Sequence, residues 1–142
     1  MSLVLADVGA AMQLKAIFNN VWPAGGKNLT LKLYTNNYTP LDSSTAGNFT
    51  EATGGGYAAK TLANGSWTQS NVGGIEQVLY ALQSFIFTGA LTGNPAIYGY
   101  FVVDADGVLV WAELIAAPFT PANNGDHLDI TPKYQASKGT PT

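Results

Sequence analysis

The chain has 142 residues, of which 46% are hydrophobic and 11% are charged. It contains six lysines, no arginine and nine acidic residues, which gives a net charge of −3. This composition predicts one domain, residues 1–142, with a substantial core. It disfavours nucleic-acid binding, which needs a clustered positive field. The absence of cysteine excludes disulfides, thiolate nucleophiles and cysteine-ligated metals.

The first 20 residues predict an apolar arm, MSLVL, followed by one short helix. Asp7 stands where it would cap a helix over residues 8–19. Pro23 and the two glycines after it are expected to end the helix near NNVWPAGG. The predicted packing face comprises Val8, Ala11, Met12, Lys15 and Phe18, widened by Leu14 and Ile17.

The same N-terminal region was compared with the pattern of a secretory signal peptide. It lacks the basic segment and the long apolar segment of a secretory signal peptide. No run of the sequence reaches the roughly 18 apolar residues of a membrane span. A soluble chain that is neither exported nor bound to a membrane is therefore expected.

The remaining elements are predicted to be strands and loops. LTLKLY alternates as a half-buried strand does, and residues 35–56 form a long polar loop rich in Asn, Thr, Ser and Gly. Further strands are predicted in YAAKTL, SWTQ, residues 78–88, AIYGYFVV, VLVWAELI and HLDITPK, ahead of a polar tail at 134–142. The pattern predicts a mainly β fold, an antiparallel β-sandwich with one N-terminal helix.

The tetrapeptide DADG, residues 104–107, spaces its acids as a calcium loop does. An EF-hand loop beginning at Asp104 needs an oxygen ligand at its fifth position and a bidentate acid at its twelfth. Val108 and Ile115 occupy those positions. Because Asp and Gly between two apolar runs are typical of a tight hairpin, we predict a turn and no metal site.

The stretch GGGYAAKT, residues 54–61, comes close to a phosphate-binding loop. Gly54, Lys60 and Thr61 have the required spacing, but Ala59 replaces the glycine that must precede the lysine. No apolar strand precedes the stretch and no helix pattern follows it. We predict a glycine-rich loop that leads into a strand, without a nucleotide or another cofactor.

Catalytic residues are not predicted either. His127 is the only histidine, and no GxSxG elbow accompanies it and its neighbours Asp126 and Asp129. A carboxylate pair for glycoside hydrolysis would need the fold to bring together two of the residues Glu51, Glu76 and Glu113. For Glu113 we favour a partly buried carboxylate that is hydrogen-bonded to a neighbouring strand or loop.

Aromatic residues offer a different possibility, a platform on which sugar rings stack. Its members would be Trp22, Trp67, Tyr34, Tyr38 and Tyr57. Core burial or contact between subunits explains the same residues.

Six stretches of the chain, taken together, resemble small virion structural proteins of tailed bacteriophages. They are ADVGAAMQLKAIF, LKLYTNNYTP, GGGYAAKTL, SWT, YGYFVVDADGVLVWAELI and NNGDHLDITPK. The resemblance is to capsid cement or decoration proteins and covers nearly the whole chain. It implies a jelly-roll-like sandwich, made in the host bacterial cytoplasm, that binds the capsid exterior and stiffens the shell without catalysis. The implied partners are the major capsid protein and copies of the chain itself in a symmetric oligomer.

The arm and the polar loop are the predicted partner-contact regions. Their predicted contact residues are Leu3, Val4, Leu5, Asn36, Asn37, Tyr38 and Phe49. The alternative is a tail, baseplate or fibre component that binds carbohydrate through exposed aromatic faces.

Overall fold

Residues 3–136, the part of the chain that the computed structural model describes, contain ten β-strands, one α-helix and a 3₁₀-helix at Ala46–Asn48. The strands are β1 (Val4–Leu5), β2 (Leu29–Tyr34), β3 (Lys60–Leu62), β4 (Thr68–Val72), β5 (Ile75–Leu79), β6 (Gln83–Ile86), β7 (Ile97–Val103), β8 (Leu109–Phe119), β9 (His127–Ile130) and β10 (Lys133–Ala136). Helix α1 spans Asp7–Phe18. These strands pair antiparallel, which confirms the predicted mainly β fold with one N-terminal helix.

Five strands form the largest sheet, in the order β1-β8-β7-β2-β3. Its strands β7 and β8 carry the apolar runs IYGYFVV and LVWA, joined by the DADG turn. A strand that is covered on both faces has no reason to alternate with polar residues. The two runs therefore lie in the middle of the sheet, where both faces are buried.

The first core lies between one face of this sheet and two smaller sheets, β10-β5-β4 and β6-β9. Leu31, Leu33 and Val102 of the large sheet share one buried cluster with Phe85 and Ile130 of the two-stranded sheet. The layered arrangement is sandwich-like. The jelly-roll connectivity that the resemblance implies is not confirmed by these strand orders.

The second core lies on the opposite face of the large sheet, under the loop of residues 35–56. Phe49 of this loop is 7% exposed, and its ring stacks on that of Phe101 with the centroids 5.0 Å apart. The Asn36 side chain donates to the carbonyl of Asn48 and accepts the N–H of Thr50. The predicted surface loop is therefore present, and it serves as a hydrogen-bonded cover for the sheet.

The N-terminal arm, which was predicted to contact a partner, packs against the domain itself. Val4 and Leu5 pair with Ala112 and Trp111 of β8, and Leu3 packs against the first core. Ala6, the next residue, is fully buried in the second core. Removing residues 1–6 would therefore remove an edge strand of the sheet, because the arm is part of the domain.

Three strand predictions need correction. HLDITPK, predicted as one strand, is divided into β9 and the first residue of β10, which belong to different sheets. The single strand predicted over 78–88 is divided into β5 and β6, which belong to different sheets. Just after β5, the N–H of Tyr80 still donates to the carbonyl of Pro132, next to the Lys133↔Leu79 pair, and the chain then passes to β6. The predicted polar tail begins with a strand, because β10 pairs with β5 from Lys133↔Leu79 onward. Residues 137–142 of the predicted tail lie outside the described residues.

Candidate protein-contact site

Helix α1 rests on the large sheet through its smallest residues. Gly9 and Ala16 are buried. A Cβ atom at Gly9 would overlap the carbonyl oxygen of Val110 and lie 2.7 Å from its Cα. The N–H of Ala6 donates to the same Val110 carbonyl at 3.2 Å. The helix thus approaches β8 so closely that only glycine fits at the crossing.

This packing reverses the predicted face of the helix. Val8, Ala11, Lys15 and Phe18 point to solvent, and of the predicted face only Met12 is half-buried. The predicted cap is also wrong: Ala6 is the N-cap residue and Asp7 is the first residue within the helix. The pattern of large apolar residues failed because the helix packs through small ones.

The large apolar side chains consequently form an exposed surface at the C-terminal end of α1. We call Leu14, Ile17, Phe18, Val21 and Trp22 the α1 surface; their exposed fractions are 57%, 74%, 77%, 54% and 45%. Leu14, Ile17 and Phe18 share one side of the helix by their spacing of three and four residues. Clustered apolar exposure of this kind marks an interaction site, whereas scattered single residues do not.

The chain after the helix is held in place so that Trp22 stays beside α1. Helix α1 ends at Phe18, one residue before the predicted end at residue 19, and Asn20 takes the left-handed conformation, with φ of 51°. The N–H of Val21 then donates to the carbonyl of Lys15. Further on, the carboxylate of Asp106 accepts the N–H groups of Ala24 and Gly25, each at 2.8 Å.

A groove of about 320 Å³ opens next to the α1 surface. It contains all three tryptophans of the chain, and we call it the tryptophan groove. Its main lining residues are Met12, Ala16, Ile17, Trp22, Trp67, Val78, Val110, Trp111 and Tyr134, with Gln13, Lys27 and Asn64 among its polar groups. Because Ile17 and Trp22 belong to both features, the groove and the α1 surface are continuous.

The groove walls are fixed by aromatic contacts. Trp67 meets Tyr80 and Trp111 edge to face, with centroids 5.1 and 6.1 Å apart. Tyr134 Oη donates to Gln13 Oε1 at 3.3 Å, which links β10 to α1. The ammonium of Lys27 lies 4.3 Å from the centroid of the Trp22 ring. The groove is therefore preformed, apolar inside and polar only at a few points.

The residues predicted for partner contact are mostly covered by the domain itself. Leu3, Val4, Leu5, Asn36 and Tyr38 are half-buried, Phe49 is buried, and Asn37 is exposed. The arm and the loop meet where the N–H of Asp7 donates to the carbonyl of Asp42 at 2.9 Å. Their role in partner contact stays a prediction.

The DADG turn is confirmed. Asp104 is 5% exposed, and its Oδ1 accepts the N–H groups of Asp106 and Val108, both at 2.9 Å. Gly107 has a φ of 82°, which the turn requires. Both carboxylates of the motif are thus used by backbone N–H groups, Asp104 within the turn and Asp106 on the segment after α1.

The glycine-rich stretch is also a structural loop that leads into β3. Gly54, Gly55 and Gly56 all have positive φ, and a Cβ on Gly55 would lie 2.6 Å from the carbonyl oxygen of Gly89. Lys60 lies in β3, with its ammonium 5.5 Å from the centroid of the Phe85 ring. The glycines therefore allow two backbones to pass closely.

The acids considered for catalysis have separate structural partners. Tyr100 Oη donates to Glu113 Oε2, as expected for a carboxylate bonded to a neighbouring strand. Burial, reinforced by this carboxylate, raises the pKa of Tyr100. Glu51 forms an ion pair with Lys32 at 2.8 Å and accepts a hydrogen bond from Tyr57 Oη. These contacts tie strands and loops together.

His127 lies on the surface at the start of β9. Its Nε2 is 3.9 Å from Asp129 Oδ2, and its side chain is 61% exposed. Asp126 instead accepts the N–H groups of Ala122 and Asn123, which lower its pKa. Within residues 3–136, no three His, Asp or Glu side chains come together as a metal-binding group.

The five aromatic residues of the predicted sugar platform do not share one face. Tyr34 is fully buried in the second core, where Tyr38 packs beside it, and burial raises the pKa of Tyr34 to about 12. Tyr57 packs on the first core against the Phe85 ring. Of the five, Trp22 and Trp67 both line the tryptophan groove.

No family model matches this chain, and no curated protein or solved structure is similar enough to count as a match. Within residues 3–136, no helix has the length and apolar character needed to cross a bilayer.

Proposed function

We propose that this protein is a non-enzymatic structural protein of a tailed-bacteriophage virion, most specifically a cement protein that binds the capsid exterior and stabilises the shell. The observation that carries the proposal is the α1 surface. A helix that turns Gly9 and Ala16 inward and Leu14, Ile17 and Phe18 outward presents its apolar side to a partner. Such exposure is characteristic of chains that function in assemblies.

The polar groups of the chain support the same proposal. Glu51, Glu113 and Asp104 accept hydrogen bonds that hold strands, turns and loops together. Asp106 and Lys27 fix the segment that carries Trp22. These groups stabilise a rigid contact surface, which suits a protein that adds strength to a shell.

The tail-fibre alternative, in which aromatic faces stack on sugars, is supported less well. Stacking needs an open aromatic face, whereas the Lys27 ammonium covers one face of Trp22 and Trp67 is wedged between Tyr80 and Trp111. The tryptophan groove is also lined mainly by apolar side chains. Most of the hydroxyl groups of a sugar would face apolar side chains there, with Gln13, Lys27 and Asn64 as the few polar partners.

The test is binding to shells assembled from the major capsid protein of the same phage without this chain. We expect the protein to co-sediment with the shells and to raise their heat resistance. Occupancy should change little between low and high salt, because 11% of the chain is charged and the contact is apolar. Ile17→Glu should lower shell occupancy at least about tenfold, because an ionised carboxylate is costly to bury in the contact that the α1 surface makes in the assembled shell.

Ile86→Glu is the matched control. Ile86 is 63% exposed, against 74% for Ile17, but it lies on β6 outside the α1 surface. This variant should bind shells as the unchanged protein does. Protein that stays in the supernatant at every salt concentration would contradict the cement proposal.

A further inference from the structure

We propose that the α1 surface binds a second copy of this chain, and that Phe18 of each copy enters the tryptophan groove of the other. This inference goes beyond the proposed function and does not depend on it, because it concerns the purified protein alone. It assigns a partner to the surface that the fold leaves uncovered.

The first argument is that the surface is complementary to itself. Phe18 is 77% exposed and is adjacent in sequence to Ile17, which lines the groove. A projecting side chain and an apolar recess therefore lie side by side on one surface. Across a two-fold axis each projection meets the recess of the other copy, which is the geometry of a symmetric dimer.

The second argument is size. The groove of about 320 Å³ is at the small end of the roughly 300 to 1,000 Å³ that ligand pockets span, so it suits one or two inserted side chains. The five side chains of the α1 surface leave on the order of 500 Å² exposed, if an aromatic residue buries about 150 to 250 Å². With the groove and its rim, the contact approaches the roughly 800 Å² per partner of a specific interface.

The third argument is charge. The five side chains of the α1 surface are all uncharged. Lys27 at the groove rim already faces the Trp22 ring. A strongly charged partner finds no opposite charge among these five side chains, whereas a second copy of the same apolar surface is complementary to them.

The test is the sedimentation of the purified full-length chain over a concentration series up to about 100 µM, a range that detects micromolar association. We expect a dimer that persists at high salt. Phe18→Glu should sediment as a monomer at every concentration while its circular dichroism stays unchanged, because Phe18 contributes little to the core. Leu82→Glu is the control, since Leu82 is 58% exposed outside the α1 surface, and it should remain dimeric.

The insertion itself is tested with a photo-crosslinking phenylalanine analogue at position 18. Crosslinks in the dimer should join position 18 of one copy to groove residues such as Met12 or Trp22 of the other. A protein that is monomeric throughout, a dimer that survives Phe18→Glu, a dimer lost equally in Leu82→Glu, or crosslinks confined to other surfaces would overturn the proposal.

Discussion

Gly9→Val is expected to lower the free energy of unfolding by about 3 kcal/mol, through overpacking at the contact of α1 with β8. Any Cβ at this position overlaps the backbone of Val110, and neither a helix nor a central strand can move away cheaply. The melting temperature should fall by on the order of 10 °C for a chain of this length. Tryptophan emission should shift to the red, because displacing the helix opens the groove around Trp111.

Ala11→Val is the control for this substitution. Ala11 lies in the same helix but is exposed, so the same new side chain meets no backbone there. Only the weaker helix propensity of valine should lower the free energy of unfolding, by less than about 1 kcal/mol. If Gly9→Val melted as Ala11→Val does, the close approach of the helix would be refuted.

Gly99→Ala is expected to destabilise the protein by a similar amount, about 3 kcal/mol, from a single added methyl group. Its Cβ would overlap the carbonyl oxygen of Glu113 and lie 2.6 Å from Tyr34 Oη. Gly99 pairs with Tyr34 on one side and Leu114 on the other, so the clash falls in the middle of the large sheet. The loss of stability is measurable by denaturant unfolding followed by circular dichroism.

Gly47→Ala provides the comparison. A Cβ at Gly47 would find its nearest neighbour, Thr45 Oγ1, at 3.7 Å, which is an ordinary contact. The free energy of unfolding should stay within about 0.5 kcal/mol of the unchanged protein. Equal stabilities of Gly99→Ala and Gly47→Ala would show that the sheet does not constrain Gly99.

Much of the β-structure could be predicted from local pattern. The alternation in LTLKLY identified β2, and the unbroken apolar runs on either side of DADG identified the hairpin of β7 and β8. The turn was predictable because Asp104 and Gly107 satisfy local requirements of backbone hydrogen bonding and positive φ. Local chemistry determines such features, so no knowledge of tertiary packing was needed.

The helix face was not predictable from the same reasoning. Apolar periodicity assumes that the large side chains face the core, whereas α1 approaches the sheet through Gly9 and Ala16. One signal was available: apart from Asp7, Gln13 and Lys15, the helix is apolar or small all round. A helix of that kind has a second side to bury, which indicates a partner.

Long-range strand pairing explains the other differences between the predicted elements and those of the structure. The sequence between Val78 and Thr88 contains no signal that β5 joins β10 while β6 joins β9, because both partners come about 50 residues later. The arm looked unattached for the same reason, since its partner β8 begins at Leu109. The tryptophan groove depends on segments from both ends of the chain and so required the fold.

The two proposals concern the contact between copies of the chain and the binding of those copies to a shell. In the proposed account, the α1 surface with its groove would join copies of the chain, and the assembled copies would stabilise a capsid shell. The first depends on apolar side chains that the domain leaves exposed, such as Ile17 and Phe18. The second depends on a rigid domain whose arm and loop are fixed to the large sheet.

The most direct measurement is cryo-electron microscopy of virions of the tailed phage that is proposed to encode this chain. The account predicts density for the chain on the outer face of the shell, with α1 covered by a second copy and Phe18 inside the neighbouring groove. Shells that lack the chain while tails carry it would contradict the cement assignment. Copies on the shell whose α1 surfaces face solvent would contradict the contact proposed for that surface.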